Sequence, residues 1–134
     1  MMKHCVFALL LCVFLLPAAS QEPKTSTSDA CSNPGTVSKM VNPVKSTAES
    51  LAQGKKYYGY DCAMCHGQNG DGKGEVDDAG KLPDFTNPAT MKDMTDGEMF
   101  CSLKVGKGHM PLENIRVTPN ELWNLVNYVR SLAK

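Results

Sequence analysis

The apolar positions of the chain fall into four stretches of different kinds. The first is an unbroken run of 12 residues, Cys5 to Leu16. The last is periodic: Leu122, Leu125, Val126, Val129 and Leu132 recur at helical spacing and share one face. Two shorter helical stretches lie between them, from Ser46 to about Tyr60 and from Thr95 to about Val105. All three helical stretches open on Ser or Thr with Glu three residues later: Ser46-Thr47-Ala48-Glu49, Thr95-Asp96-Gly97-Glu98 and Thr118-Pro119-Asn120-Glu121. In that arrangement hydroxyl and carboxylate each take a backbone N–H that a first helical turn leaves without a partner. Pro119 stands at the first helical position, where no N–H is needed. Gly106 stands where the middle helix should stop. No stretch alternates like a half-buried strand. The connections are rich in Gly and Pro, above all Gly67 to Gly74 and Leu82 to Pro88. The pattern predicts an all-α domain of three main helices and long loops, and loops of that length in a small domain usually need something to wrap around.

The first apolar run has a different use. Lys3 and His4 precede it, and Pro17-Ala18-Ala19-Ser20 follows with small residues. That is the layout of a secretory signal peptide over residues 1–20, cut after Ser20. An uncleaved anchor is the rival reading. However, 12 residues rise only about 18 Å as a helix against a hydrocarbon core of roughly 30 Å. Residues 21–45 carry no hydrophobic period and are broken by Pro23, Pro34 and Pro43, which reads as a flexible arm. The folded domain is expected over 46–134.

Charge adds an exclusion. Loss of residues 1–20 removes Lys3 and no acid from 14 basic and 14 acidic residues, so the remainder is near −1. Nucleic-acid binding would want a concentrated basic patch, and none is present. So small a domain also buries little surface without a staple or cofactor.

Six cysteines narrow the cofactor. Cys5 and Cys12 leave with the leader, and Cys31, Cys62, Cys65 and Cys101 remain. Cys62-Ala63-Met64-Cys65-His66 is the C-x-x-C-H pattern of covalent haem attachment. Two thiols at that spacing reach the two vinyl groups on one edge of a porphyrin, and the next residue brings an imidazole nitrogen to iron. A redox C-x-x-C would want a strand before it and a helix after it, whereas here a helix precedes and a glycine loop follows. A zinc site would need further well-spaced ligands beyond these three.

Iron that transfers electrons with little structural change needs a sixth ligand. Met64 is tied to the proximal side, Met99 falls within the second helix as core, and Met91 and Met94 sit just before that helix. Met110 lies in Gly106-Lys107-Gly108-His109-Met110-Pro111, where glycines let the backbone curl and Pro111 biases Met110 toward extension. Met110 is the expected ligand. His109 is the competitor, and as a ligand it would give a bis-histidine iron of lower potential.

Over roughly Ser46 to Lys134 these residues resemble a class I cytochrome c. The resemblance rests on Cys62-Ala63-Met64-Cys65-His66-Gly67, Gly70-Asp71-Gly72-Lys73-Gly74, Met110-Pro111 and the closing Leu122-Trp123-Asn124-Leu125-Val126-Asn127-Tyr128-Val129-Arg130-Ser131-Leu132. It implies a cytochrome c fold wrapped around one haem c. First and last helices would cross at Gly54 and Tyr58 on one side, with Tyr128 or Trp123 on the other. It further implies a proline carbonyl, here Pro83, accepting from the histidine's other ring nitrogen, with Phe85 packing near the ring. Cys31 and Cys101 stand outside the family's motif. They either pair in an oxidising compartment or remain a buried thiol and an incidental one.

The function so implied is electron transfer in an exported, periplasmic space, by transient docking of redox partners at the haem edge. No small-molecule substrate is expected, and membrane contact only through partner complexes. A dedicated haem subunit of a respiratory or dehydrogenase complex would carry the same motifs. A haem peroxidase or gas sensor would need a displaceable sixth site and a distal acid-base group, for which only His109 remains.

Overall fold

In the computed structural model, residues 27–76, 80–111 and 117–134 are described. The leader expected over 1–20 lies outside them, as does the start of the arm. The helices follow in the order α1 (Thr27–Cys31), α2 (Pro34–Val37), α3 (Ala48–Tyr57), a π-helical turn (Tyr58–Cys62), α4 (Ala63–His66), α5 (Pro88–Lys92), α6 (Asp96–Val105) and α7 (Pro119–Leu132). The described residues contain no β-strand beyond one isolated bridge.

Two of the three start signals act where the spacing places them. The Thr95 hydroxyl accepts the Glu98 N–H at 3.2 Å and the Glu98 carboxylate accepts the Thr95 N–H at 2.7 Å. Thr118 and Glu121 repeat the exchange at 3.4 and 2.6 Å. The first helix starts one residue later than predicted: Thr47, not Ser46, is its cap, accepting the Ser50 N–H at 3.2 Å. Either hydroxyl can cap, but the Thr47 register sends Ser50 inward against α7.

α3 crosses α7 at Gly54. A Cβ there would lie 2.6 Å from Tyr128 Cβ and closer still to the Asn124 carbonyl oxygen, so only glycine admits this approach. Tyr58 and Tyr128 close the gap beside it, their rings 5.3 Å apart and tilted by 59°. Tyr128 is therefore the aromatic at the crossing. Trp123 stacks instead on Phe100, at 4.1 Å and 19°. Phe100, Leu122 and Val126 at 0 % exposure mark the centre of the core.

The segment read as a flexible arm is, from Thr27 onward, folded against the domain. Cys31 is joined to Cys101 of α6 across 70 residues. Val37 is buried, and Met40 lies against Gly97, where any Cβ would strike the Val37 carbonyl. Asn42 donates to the Asn127 side-chain oxygen at 2.9 Å and the Trp123 carbonyl at 3.1 Å. Asn127, itself buried, donates to Val44 O and to Ser50 Oγ, which donates on to Asn124 at 2.7 Å. The arm shows no periodic signal because it is held by single contacts spread over α6 and α7.

Arg130 of α7 ties the α5–α6 junction to the last helix. Its Nε donates to Asp96 at 2.8 Å, and its Nη1 and Nη2 donate to the carbonyls of Met91 and Met94. Among the described residues, no helix is long and apolar enough to cross a membrane.

Candidate haem site

The widened π turn carries the chain from the α3–α7 crossing directly into Cys62-Ala63-Met64-Cys65-His66. Cys62 ends the turn, and Cys65 and His66 occupy α4. Gly67, at φ 80°, breaks the helix immediately after the histidine. The loop beyond it is strapped back over α4. Gly72 N–H donates to His66 O at 2.9 Å and Glu75 N–H to Met64 O at 2.8 Å. The buried Tyr58 hydroxyl donates to Gly67 O at 2.8 Å. At Gly74 a Cβ would strike the Met64 and Cys65 carbonyls. The glycines of this loop thus serve a backbone-on-backbone packing that fixes the thiols and the imidazole.

Phe85 is placed by its own N–H donating to Gly70 O at 2.7 Å, and its ring stacks on His66 at 4.9 Å and 23°. Burial holds the imidazole below the usual histidine pKa, which favours the uncharged ring over the imidazolium. Its Nδ1 is buried with no hydrogen-bond partner among the described residues. The carbonyl of Pro83 lies near Gly72 instead, and the Pro83 acceptor implied by the family resemblance is not engaged here.

A cavity opens in front of these groups. Its inner lobe, about 70 Å³, is walled by Met99, Leu103, Leu125, Val126 and Val129 together with Tyr58. Its outer lobe, about 360 Å³, runs past Asp61, Cys65, Pro83, Lys107 and His109 toward solvent. Cys62, His66, Phe85, Met94, Ser102 and Met110 line both lobes.

Met110 is presented by a two-residue turn: Lys107 N–H donates to Met110 O at 3.1 Å and Met110 N–H to Lys107 O at 3.0 Å. Gly108, at φ 60°, makes the turn feasible. His109 at its tip is exposed, whereas Met110 is half-buried against the cavity. Met94 reaches the same cavity from the α5–α6 junction. Local pattern alone favours Met110 over it. What brings it there is Arg130, 36 residues downstream, which no local signal reveals. The inner wall from α7 was legible only as an apolar helix face.

The residues fit a covalently held haem. Two thiols outside any disulfide lie one helical turn apart beside a buried imidazole nitrogen without a partner. The cavity they face is apolar inside and polar at its mouth, as a macrocycle with an apolar body and charged propionates requires. Among the described residues, no three His, Cys, Asp or Glu side chains gather to hold a bare metal ion.

Comparison with known proteins agrees. The cytochrome c family model matches residues 51–133, more than half of the chain. Among solved structures, the KustC0563 c-type cytochrome is similar, with a TM-score of 0.55 and 26% identity over 60% of this chain and 98% of that one. A chain of the Kuenenia stuttgartiensis reducing HAO-like protein complex Kustc0457/Kustc0458 is also similar, at TM-score 0.58 and 29% identity. That match covers 69% of this chain and 47% of the other, so this chain spans about half of that neighbour's length. No curated protein matches the chain. The all-α fold, the family match and the c-type neighbours together make the chain a member of the cytochrome c family, with covalently bound haem c and its iron as cofactor.

Proposed function

We propose that Cys62 and Cys65 hold the haem through two thioether bonds, that His66 and Met110 are its axial ligands, and that the protein is an exported single-electron carrier. When bound, haem supplies a one-electron couple between ferric and ferrous iron. The observation that carries the reading is the convergence of two thiols, a buried imidazole with an unpartnered nitrogen and a thioether on one apolar cavity. Each group has its own anchor in the chain: the π turn and α4 for the thiols, the Gly67–Gly74 strap for His66, the Lys107–Met110 turn for the sulfur. Ligands already in place need little rearrangement when the charge changes. The apolar inner wall keeps water away, and a thioether opposite histidine favours the reduced state. Export is supported by the apolar run Cys5–Leu16 with its small-residue end. Redox partners would meet the polar mouth of the cavity near Lys107 and His109, in small and short-lived contacts.

The likeness to a chain of the reducing HAO-like protein complex favours a second reading, a dedicated haem subunit held in an assembly. Gentle purification separates the two: a fixed-stoichiometry complex supports the subunit, and rapid redox exchange by the isolated protein supports the carrier. The site itself is tested by a visible spectrum, mass and redox titration of protein made in a host that installs haem c. One haem per chain and a sulfur-to-iron charge-transfer band at the red edge are expected. A colourless product at the bare peptide mass overturns the proposal.

A further inference from the structure

We infer that Met94 is a second thioether donor for the distal face of the iron, taking over whenever Met110 leaves. The inference rests on the haem reading above and extends it. Met94 and Met110 are the two methionines that line both lobes of the cavity with His66, whereas Met99 lines only the inner one.

Their supports differ in kind. Met110 stands on a two-residue turn whose Lys107, Gly108 and His109 are all exposed, held by two backbone hydrogen bonds open to solvent. Turns of that sort open at little cost. Met94 is pinned from two sides. Arg130 donates to its carbonyl and to that of Met91 while its Nε pairs with Asp96 at 2.8 Å. The next residue, Thr95, is locked into the α6 capping box. The planar guanidinium fork suits this task because one side chain satisfies two carbonyls and a carboxylate at fixed angles. The Met94 backbone is therefore rigid, while its side chain keeps three torsions and a soft sulfur that can swing without moving the chain.

The exchange is a coordination step only. The bond from Met110 sulfur to iron breaks, one from Met94 sulfur forms, and no electron or proton changes hands. Its effect is to keep the iron six-coordinate and closed to outside ligands while the 107–110 turn is open.

The test uses the haem-loaded full chain with Met110→Leu, Met94→Leu and the double variant, all close to volume-conserving. Far-UV circular dichroism checks the fold. The readouts are the red-edge sulfur-to-iron band of the ferric protein and titration with imidazole. Met110→Leu should keep a sulfur band, shifted from wild type, and the double variant should lose it. Met94→Leu should keep the band but bind imidazole about tenfold more tightly than wild type, because no tethered sulfur then competes for the opened position. This last measurement leaves Met110 in place and decides the matter even if Met110→Leu fails to fold. Loss of the band in Met110→Leu, or equal imidazole affinity in wild type and Met94→Leu, overturns the inference and leaves Met94 as cavity wall. A wild type without haem would instead overturn the reading beneath it.

Discussion

Replacing Gly54 with alanine should loosen the α3–α7 crossing on which the haem-attachment turn is mounted. The added Cβ would lie 2.6 Å from Tyr128 Cβ and against the Asn124 carbonyl, both on the facing helix. Unstrained carbon contacts need about 3.5 Å or more, so the helices must part by roughly 1 Å. Overpacking of this kind costs about 1–3 kcal/mol. Parting also stretches the Ser50–Asn124 and Asn127–Ser50 bonds, now 2.7 and 2.9 Å, and each such bond is worth about 1 kcal/mol. Alanine's better helix propensity returns about 1 kcal/mol. The net loss is about 2 kcal/mol, which at ordinary urea sensitivities lowers the midpoint by about 1 M. Gly59 is the control, since a Cβ there meets nothing within 4 Å. Gly59→Ala should be neutral or stabilising. Urea unfolding followed by far-UV circular dichroism and by haem absorption, at equal haem loading, checks both. A Gly54→Ala protein as stable as wild type, or Gly54 and Gly59 variants shifted equally, would refute the close-approach reasoning.

Three further outcomes follow from the same structure. Closing a 70-residue separation with Cys31–Cys101 should stabilise by about 4 kcal/mol in the chain-entropy account; urea midpoints with and without reductant, or with Cys31→Ser/Cys101→Ser, measure it. The Glu98 carboxyl is held below the usual carboxylate pKa by the Thr95 backbone, and the Glu121 carboxyl by Tyr57 and then Thr118. Their stabilisation is therefore full above the ordinary value of 4.5 and is lost as pH falls through the depressed folded values; Glu121→Gln should flatten the acid limb of a stability–pH curve. Arg130→Lys keeps the charge but not the fork to Met91, Met94 and Asp96, and should cost about 1–3 kcal/mol in thermal or urea unfolding.

The parts of the fold that could be read in advance are those that local rules control. The Thr95 and Thr118 caps, Pro119 and the α7 face each depend on residues within one or two turns. C-x-x-C-H was legible because covalent reach sets its spacing. The Thr47 start escaped notice since adjacent hydroxyls at 46 and 47 satisfy the same local rule, and Ser50's bond to Asn124, 74 residues away, chooses between them. The arm escaped for a related reason. Val37, Met40 and Asn42 meet α6 and α7 one at a time, and single contacts at long range leave no period. Met94 is the site's own example, placed by an arginine on a different helix. The π turn at Tyr58–Cys62 had no sequence signal that we recognise.

The staple between Cys31 and Cys101 has a consequence for biogenesis. Of the disulfides that Cys31, Cys62, Cys65 and Cys101 could form one at a time, only Cys31–Cys101 leaves both Cys62 and Cys65 for the haem attachment proposed above. A chain emerging from its N-terminus displays Cys62 and Cys65 before Cys101 exists to receive Cys31. Oxidation at that moment would trap the attachment thiols with each other or with Cys31. If the proposed attachment holds, maturation has to run on a clock: Cys62 and Cys65 stay reduced, or are already occupied, until the stretch that carries Cys101 has arrived.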